Sequence, residues 1–141
     1  MARVLIVPCG CRGRALAAQL AGAGHTVRGT TRDPANREAI AAAGAEPYVG
    51  DPDRIATLMG ALAGVTVVCW LMGSVPVPEL HGPRLRMLLE KLVDTPVRGV
   101  VYEGIEGAPI ALDAAERWRM PVEILHPGGD ARAAVDRLLG I

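Results

Sequence analysis

Phenylalanine is absent from this chain of 141 residues, and only two Trp and two Tyr are present. Half of the residues are nevertheless hydrophobic, so the core has to be built mainly from Ala, Val, Leu and Ile. The chain length is typical of one domain, and this apolar fraction is sufficient to give it a core. We therefore expect a single domain over residues 1–141.

A surplus of charge is also lacking, because fifteen basic residues balance fifteen acidic ones. This balance argues against a nucleic acid or a membrane surface as a partner. Long apolar runs are missing as well, and the longest, Val65–Met72, is much too short to cross a bilayer. The N-terminus does not have the pattern of a signal peptide.

Cysteine is too sparse for a disulfide framework, and the odd number of three favours a reducing cytoplasm. Structural zinc needs four ligands, which Cys9, Cys11 and the distant Cys69 do not supply, so we expect no metal site. We interpret Cys9 and Cys11 as small side chains in a tight turn. If Cys9 lies at a helix start, its thiol pKa is expected to fall.

What the chain does contain is a regular alternation of β-branched apolar runs with Ala- and Leu-rich stretches. The predicted strands are Arg3–Val7, Thr26–Thr30, Glu46–Val49, Val65–Leu71, Val97–Tyr102 and Val122–Leu125. The predicted helices are Arg14–Ala23, Pro34–Ala43, Pro52–Ala63, Glu79–Val93, Pro109–Trp118 and Asp130–Leu139. Asp33 and Asp51 are placed to cap the helices that begin at Pro34 and Pro52. The alternation predicts a doubly wound α/β fold with a six-stranded parallel sheet, order 3-2-1-4-5-6, and helices on both faces.

The connection between the first strand and the first helix contains two glycines three residues apart, Gly10 and Gly13. Such a turn lets the backbone approach a phosphate and lets the helix pack on the strand. The N–H groups at the helix start can hold an anion, and Arg12 or Arg14 could add charge. The order strand, glycine turn, helix, strand predicts a Rossmann-type pyrophosphate site formed by Gly10, Cys11, Arg12 and Gly13.

The end of the second strand bears on the choice of dinucleotide. An NAD site usually has an acidic residue there, which binds the ribose 2′-hydroxyl. Here the position is Thr31, followed by Arg32, whose guanidinium can pair with a 2′-phosphate. Asp33 comes later and is better placed to cap the next helix. The sequence therefore favours NADP over NAD.

The chain resembles the extended and atypical short-chain dehydrogenases/reductases, which include nucleotide-sugar epimerases and NmrA-like proteins. The similarity lies in Gly13–Ala17, Gly24–Pro34, Gly50-Asp51 and His126-Pro127-Gly128, and it extends over nearly all of the 141 residues. Members of the family are usually much longer, so this chain resembles a truncated form. The resemblance implies a dinucleotide-binding fold in which Asp51 lies beside the adenine.

The chain departs from the family pattern at two points. In the family turn Gly-x-x-Gly-x-x-Gly, Gly10 and Gly13 match the second and third glycines, whereas Val7 stands at the first. Members also use a Tyr with a Lys four residues later as the acid/base pair. Four residues after Tyr48 and Tyr102 stand Pro52 and Glu106, so this pair is absent.

Three residues are candidate substitutes for the missing acid/base pair. Ser74 and His81 belong to the loop Gly73–Gly82 after the fourth strand, and Tyr102 ends the fifth strand beside Glu103. Both places lie at the carboxyl edge of the sheet, where ligands bind in doubly wound folds. Each of the three has an alternative structural role, in a turn, on the surface or in packing. Gly73, which begins the loop, is a further cofactor-binding candidate.

Two functions remain open, and a third reading is structural. The first is a small NADP(H)-binding oxidoreductase or epimerase-like enzyme acting on an unknown small substrate. The second is a non-catalytic module that binds a dinucleotide, senses its redox state or binds a partner protein. The third is a relic whose pocket is closed by Val7 and Arg12. A homodimer is compatible with this architecture.

Overall fold

The computed structural model describes residues 2–141, and its six strands form one parallel sheet in the order β3-β2-β1-β4-β5-β6. The strands are β1 (Arg3–Val7), β2 (Thr26–Thr31), β3 (Glu46–Val49), β4 (Val67–Leu71), β5 (Gly99–Glu103) and β6 (Val122–Leu125). Val4 of β1 pairs with Val27 on one side and with Val67 on the other. The predicted doubly wound α/β fold and strand order are confirmed, and the order reverses between β1 and β4.

Helical segments connect all of these strands. They are α1 (Cys11–Gly22), α2 (Arg37–Ala42), α3 (Pro78–His81), α4 (Pro83–Leu92), α5 (Ala108–Trp118) and α6 (Ala131–Leu139), with 3₁₀ segments at Pro34–Asn36 and Ile55–Leu62. The predicted cap at Asp33 is confirmed, since its carboxylate accepts a hydrogen bond from the Ala35 N–H at 2.9 Å. Between residues 2 and 141, no helix has both the length and the apolar character that a membrane crossing requires.

The sheet separates two apolar layers, because successive strand residues point to opposite faces. On one face, the strand residues Leu5, Val7 and Trp70 pack against α4, α5 and the 3₁₀ segment Ile55–Leu62. Val4 and Ile6 pack with α1, α2 and α6 on the other. Burial on both faces explains why β1 and β4 are continuous apolar runs.

Two predicted helices differ from the structure. The predicted helix Pro52–Ala63 is a 3₁₀ segment that begins only at Ile55, because Asp51 and Thr57 hydrogen-bond within the preceding loop rather than capping a helix. The predicted helix Glu79–Val93 is divided into α3 and α4 at Gly82, whose φ and ψ of −123° and −104° are not helical. Pro83 follows directly and disfavours helical backbone at the residue before it.

Candidate functional site

A cleft of about 600 Å³ opens at the carboxyl ends of β1, β2, β3 and β4. It is lined by the last two residues of β2 and by residues of the four connections that leave these strands: Pro8, Cys9, Gly10, Thr30, Thr31, Arg32, Asp33, Pro34, Asn36, Gly50, Asp51, Pro52, Asp53, Met72, Val75, Val77 and Leu80. The volume is typical of sites for small molecules. The cleft lies where the strand order reverses, which is the ligand-binding position of doubly wound sheets.

The turn between β1 and α1 contributes Gly10 to this cleft. Gly10 precedes α1 and has no side chain to cap its first turn, so no side-chain hydrogen bond caps this helix start in the part of the chain that the structure describes. A Cβ added at Gly10 would meet no atom within 4 Å. Oriented N–H groups at the start of a helix form a binding place for anions.

Gly13 has a different role, because it lets α1 approach β1. A Cβ at Gly13 would lie 2.8 Å from the Pro8 carbonyl oxygen and 3.0 Å from Ile6 Cγ2. Val7 is fully buried in the core layer opposite α1 and does not line the cleft. Val7 therefore does not close the pocket as the relic hypothesis required, since its side chain packs against the other face of the sheet.

The end of β2 forms a polar corner of the cleft. The Thr31 hydroxyl accepts hydrogen bonds from the Asp33 N–H at 3.1 Å and from Asn36 Nδ2 at 3.2 Å. Arg32 stands between Thr31 and Asp33 in the sequence, and its exposed side chain lines the same cleft. Asn36 was missed by the sequence analysis, and its position one turn after Asp33 is the signal that could have found it.

Asp51 lies in a loop whose backbone is hydrogen-bonded to side chains of the same loop. The Asp51 N–H donates to Thr57 Oγ1 at 2.8 Å, and the Asp51 carboxylate accepts from the Asp53 N–H at 2.9 Å. Arg84 of α4 donates to Asp53 Oδ1 at 3.0 Å and connects this loop to α4. Asp51 and Asp53 therefore form a fixed acidic edge of the cleft.

The loop after β4 forms the apolar wall of the cleft. Two buried side chains anchor it, because Trp70 Nε1 donates to the Leu80 carbonyl at 2.8 Å and His81 Nε2 lies 3.0 Å from the Val75 carbonyl. Val75 and Leu80 are thereby presented to the cleft. The polar residues of this loop made it a candidate in the sequence, whereas its apolar residues reach the site.

The candidate acid/base residues do not line the cleft. His81 and Tyr102 are buried and meet each other, with His81 Nδ1 2.6 Å from the Tyr102 hydroxyl. That hydroxyl also accepts a hydrogen bond from the Gly107 N–H at 2.9 Å. Burial raises the pKa of Tyr102, an effect that the Gly107 N–H reduces. Ser74 is exposed and lines no part of the cleft.

The Val75 carbonyl can only accept, so His81 Nε2 donates to it. His81 Nδ1 faces the Tyr102 hydroxyl at 2.6 Å, and the Glu106 carboxylate lies 3.5 Å from the same nitrogen. Each polar atom of the two side chains then has a partner, and none is left for a substrate. The arrangement is that of a satisfied buried network.

Arg12 and Gly73 lie outside the cleft and belong to a second cluster around Glu103. Glu103 is fully buried at the end of β5 and forms an ion pair with Arg12. Its carboxylate also accepts hydrogen bonds from the Gly73 N–H at 3.0 Å and the Gly128 N–H at 3.1 Å. Sequence reasoning placed Glu103 at a strand end without this role.

Cys9 lines the cleft, but its chemistry differs from the sequence expectation. Burial raises the pKa of the Cys9 thiol to about 11, and the nearby Arg14 lowers it only in part. The expected fall in this pKa is therefore wrong, because Cys9 packs into the core against Gly29 of β2. Cys11 is exposed on the first turn of α1, and the described residues hold no group of three or more potential metal ligands.

Comparisons with known proteins agree with this fold. A family model described as NAD(P)H-binding matches residues 10–117. A search of curated proteins found no match. Among solved structures, a short-chain dehydrogenase/reductase superfamily protein from Agrobacterium tumefaciens with bound NAD is 26% identical, with a TM-score of 0.53 over 72% of this chain and 31% of that one.

Two further solved structures share the fold at lower identity. A Citrobacter triphenylmethane reductase complexed with NADP(H) has a TM-score of 0.67 at 19% identity, over 88% of this chain and 48% of that one. An NADPH-dependent quinone oxidoreductase from Escherichia coli has a TM-score of 0.62 at 15% identity, over 86% of this chain and 46% of that one. The chain thus spans about half the length of these two proteins. The resemblance to short-chain dehydrogenases/reductases is confirmed.

Proposed function

Because the chain belongs to the NAD(P)H-binding family, we propose that it binds NADP(H) in the cleft at the carboxyl ends of β1–β4. One observation carries this proposal: Gly10, which leads into the uncapped first turn of α1, and Arg32 line the same cleft. An anion-binding helix start and a guanidinium suit a pyrophosphate and a 2′-phosphate respectively.

Each part of the ligand has a matching group in this proposal. The N–H groups from Gly10 to Gly13 hold the pyrophosphate. Arg32 holds the 2′-phosphate, with Thr31 and Asn36 beside it. Asp51 lies at the adenine, and the apolar wall after β4 packs on the base. When bound, NADPH supplies a hydride, which is the chemistry of the cofactor rather than of the protein.

Of the two functions left open by the sequence, the geometry favours the non-catalytic binding module. The hydroxyl of Tyr102 and both ring nitrogens of His81 are engaged with each other or with backbone groups. A positioned acid/base typically contributes about 10²–10⁴-fold in rate, and no such group reaches the cleft from these candidates. The oxidoreductase or epimerase-like enzyme remains the second candidate, favoured by the NADPH-dependent quinone oxidoreductase of similar fold.

We further propose a cytoplasmic setting, which the three free cysteines support. A balanced formal charge gives no reason to propose a nucleic acid or a membrane as partner. The proposed partner is the dinucleotide itself, together with a small substrate if the protein is an enzyme. We also propose a homodimer, and size-exclusion chromatography with light scattering tests this oligomeric state.

The primary test is thermal unfolding with NADP, NADPH, NAD or NADH. A ligand at 100 times its Kd adds about 2.7 kcal/mol of stability, which shifts the Tm of a domain of this size by several degrees. We expect the phosphorylated forms to give the larger shifts. No shift with any of the four contradicts the proposal, and NADPH oxidation with a panel of aldehydes and ketones distinguishes the two functions.

The assignment of Arg32 has its own test, in which Arg32→Ala is compared with Arg37→Ala. Both side chains are exposed, but only Arg32 lines the cleft. Loss of a charge-assisted contact worth about 1.5–3 kcal/mol weakens NADP(H) binding about 10- to 100-fold. NAD(H) binding should change little in Arg32→Ala, and Arg37→Ala should resemble the unmodified protein. Equal weakening of NAD and NADP would refute the role of Arg32.

A further inference from the structure

We infer that the site recognises the adenosine 2′,5′-bisphosphate half of the dinucleotide, and that the ion pair between Arg12 and Glu103 excludes the nicotinamide nucleoside half. The inference rests on the proposed function and makes its ligand class narrower. It predicts that a mononucleotide containing the 2′-phosphate binds nearly as tightly as the whole dinucleotide.

The first observation is the one-sided lining of the cleft. Of the described residues, none beyond Leu80 lines it, so the connections that follow β5 and β6 contribute nothing. Doubly wound sheets are built from two mononucleotide-binding halves, and a dinucleotide lies across both. The open crevice in this protein therefore lies at the ends of β1–β4, and among the described residues no connection after β5 or β6 lines it.

The second observation is what fills the second half. The carboxylate of Glu103, at the end of β5, holds the Gly73 N–H at 3.0 Å and the Gly128 N–H at 3.1 Å. These two groups belong to the connections that follow β4 and β6. One buried carboxylate thus draws together the three connections that would border the second nucleoside.

The contacts between Gly73, Glu103 and Pro127 are close. A Cβ added at Gly73 would lie 2.6 Å from Glu103 Oε1 and 2.9 Å from Pro127 Cα. Arg12 reaches across from the first turn of α1 to complete the cluster. The connections after β4 and β6 are therefore packed directly against the Glu103 carboxylate, and the guanidinium of Arg12 covers it from the side of α1.

Electrostatics keep this cluster closed. The Glu103 side chain is fully buried, whereas 43% of the Arg12 side chain is exposed. Moving Arg12 aside would leave a buried carboxylate without its counter-ion, which is a costly change. A nicotinamide nucleoside that binds at this position has to displace Arg12, and the cost of doing so reduces its contribution to the binding free energy. The adenosine half binds in an open cleft and has no such cost.

Isothermal titration calorimetry with three probes tests the inference: NADP, adenosine 2′,5′-bisphosphate and nicotinamide mononucleotide. We expect the Kd values of the first two to agree within about tenfold, and no heat from the third. A dinucleotide that binds more than about tenfold tighter than the bisphosphate overturns the inference. Saturation-transfer NMR on bound NADP should show transfer to the adenine protons only, and equal transfer to the nicotinamide protons counts against it.

The variant Arg12→Gln tests the ion pair itself, with Arg117→Gln as the matched control. Arg117 is an exposed helix residue paired with Asp113 and lies away from the cleft. Any general change at the 5′-phosphate affects both ligands and cancels in the ratio of their Kd values. We expect Arg12→Gln to favour NADP over the bisphosphate by about tenfold more than the unmodified protein does, and Arg117→Gln to leave the ratio unchanged. An unchanged ratio in Arg12→Gln overturns the inference.

Failure of the proposed function gives a different pattern. If neither NADP nor adenosine 2′,5′-bisphosphate produces heat in the folded protein, the proposed function is wrong and this inference falls with it. If NADP binds more than about tenfold tighter than adenosine 2′,5′-bisphosphate, the proposed function stands and only the exclusion of the nicotinamide half is wrong. Circular dichroism of each variant establishes that it is folded.

Discussion

At the scale of single residues, the side chains that suggest chemistry in the sequence serve structure in the fold. The Tyr102 hydroxyl is 2.6 Å from His81 Nδ1 and accepts from the Gly107 N–H. Through its other ring nitrogen, His81 holds the Val75 carbonyl of the cleft wall. A sequence pattern cannot separate these two uses, because both place a polar side chain at the carboxyl end of a strand.

Tyr102→Phe distinguishes the two uses. The substitution keeps the ring but leaves the buried His81 Nδ1 and the Gly107 N–H without their partner, so we expect the free energy of unfolding to fall by about 1–3 kcal/mol. Denaturation in urea measures it. Tyr48→Phe, which removes a hydroxyl from a half-buried side chain, is the control and should cost less. Unchanged stability in Tyr102→Phe, with loss of a measured NADPH turnover, would instead support an acid/base role.

At the scale of elements, β1 and α1 are joined by two glycines that the structure uses differently. Gly10 leaves open space beside the cleft, whereas Gly13 lies where α1 touches Pro8 and Ile6. The sequence shows the spacing of the two residues but not which one faces a ligand. That difference depends on where the cleft opens.

Alanine substitutions separate these roles. Gly10→Ala adds a methyl group to open space at a φ of −82°, so we expect unfolding to change little while NADP(H) binding weakens at least about tenfold. Gly13→Ala forces α1 away from β1, and overpacking of this kind costs about 1–3 kcal/mol of stability. Thermal unfolding with and without NADP measures both effects. Tight NADP binding by Gly10→Ala would show that the phosphates do not approach this turn.

Elements were predictable from sequence where one local pattern decides them. Strands β1 and β4 are continuous apolar runs because both faces of the sheet are covered, and the glycine-punctuated alternation fixes the winding. The stretch 52–63 has helical composition. Hydrogen bonds between Thr57 Oγ1 and the backbone of Asp51 nevertheless hold its first residues in a loop, so that a 3₁₀ segment begins only at Ile55. Competition of this kind between side chains and backbone is decided by geometry that composition does not contain.

At the scale of the whole molecule, half of the candidate site follows from the sequence and half does not. Gly10 and Arg32, selected from the strand-turn-helix pattern, and Asp51, selected from the family resemblance, line the same cleft. The pair of Arg12 with Glu103 joins residues that are far apart in the chain, and it forms because the sheet places β5 two strands away from β1, which leads into α1. Such a contact is a property of the complete fold, so a motif search assigns Arg12 to the phosphate.

The pH dependence of global stability is a further property of the whole fold. The thiols of Cys9 and Cys69 belong to the core layer between the sheet and α1. Burial raises their pKa values from 9.0 to about 11 and about 12 respectively. The folded protein therefore keeps both protons at pH values where the unfolded chain has released them.

The sign of the effect follows from this difference. Below pH 9 both states are protonated and the full stability is present, whereas above it only the unfolded state gains from ionisation. Each thiol then lowers the free energy of unfolding by up to about 1.4 kcal/mol per pH unit, until the folded thiols ionise near pH 11 to 12. Guanidinium unfolding under reducing conditions at pH 8 and pH 10 measures the loss. The double variant Cys9→Ala with Cys69→Ala should start from a lower stability and lose much less over the same interval. If the two proteins lose stability equally, the thiols are not the groups that the fold keeps protonated.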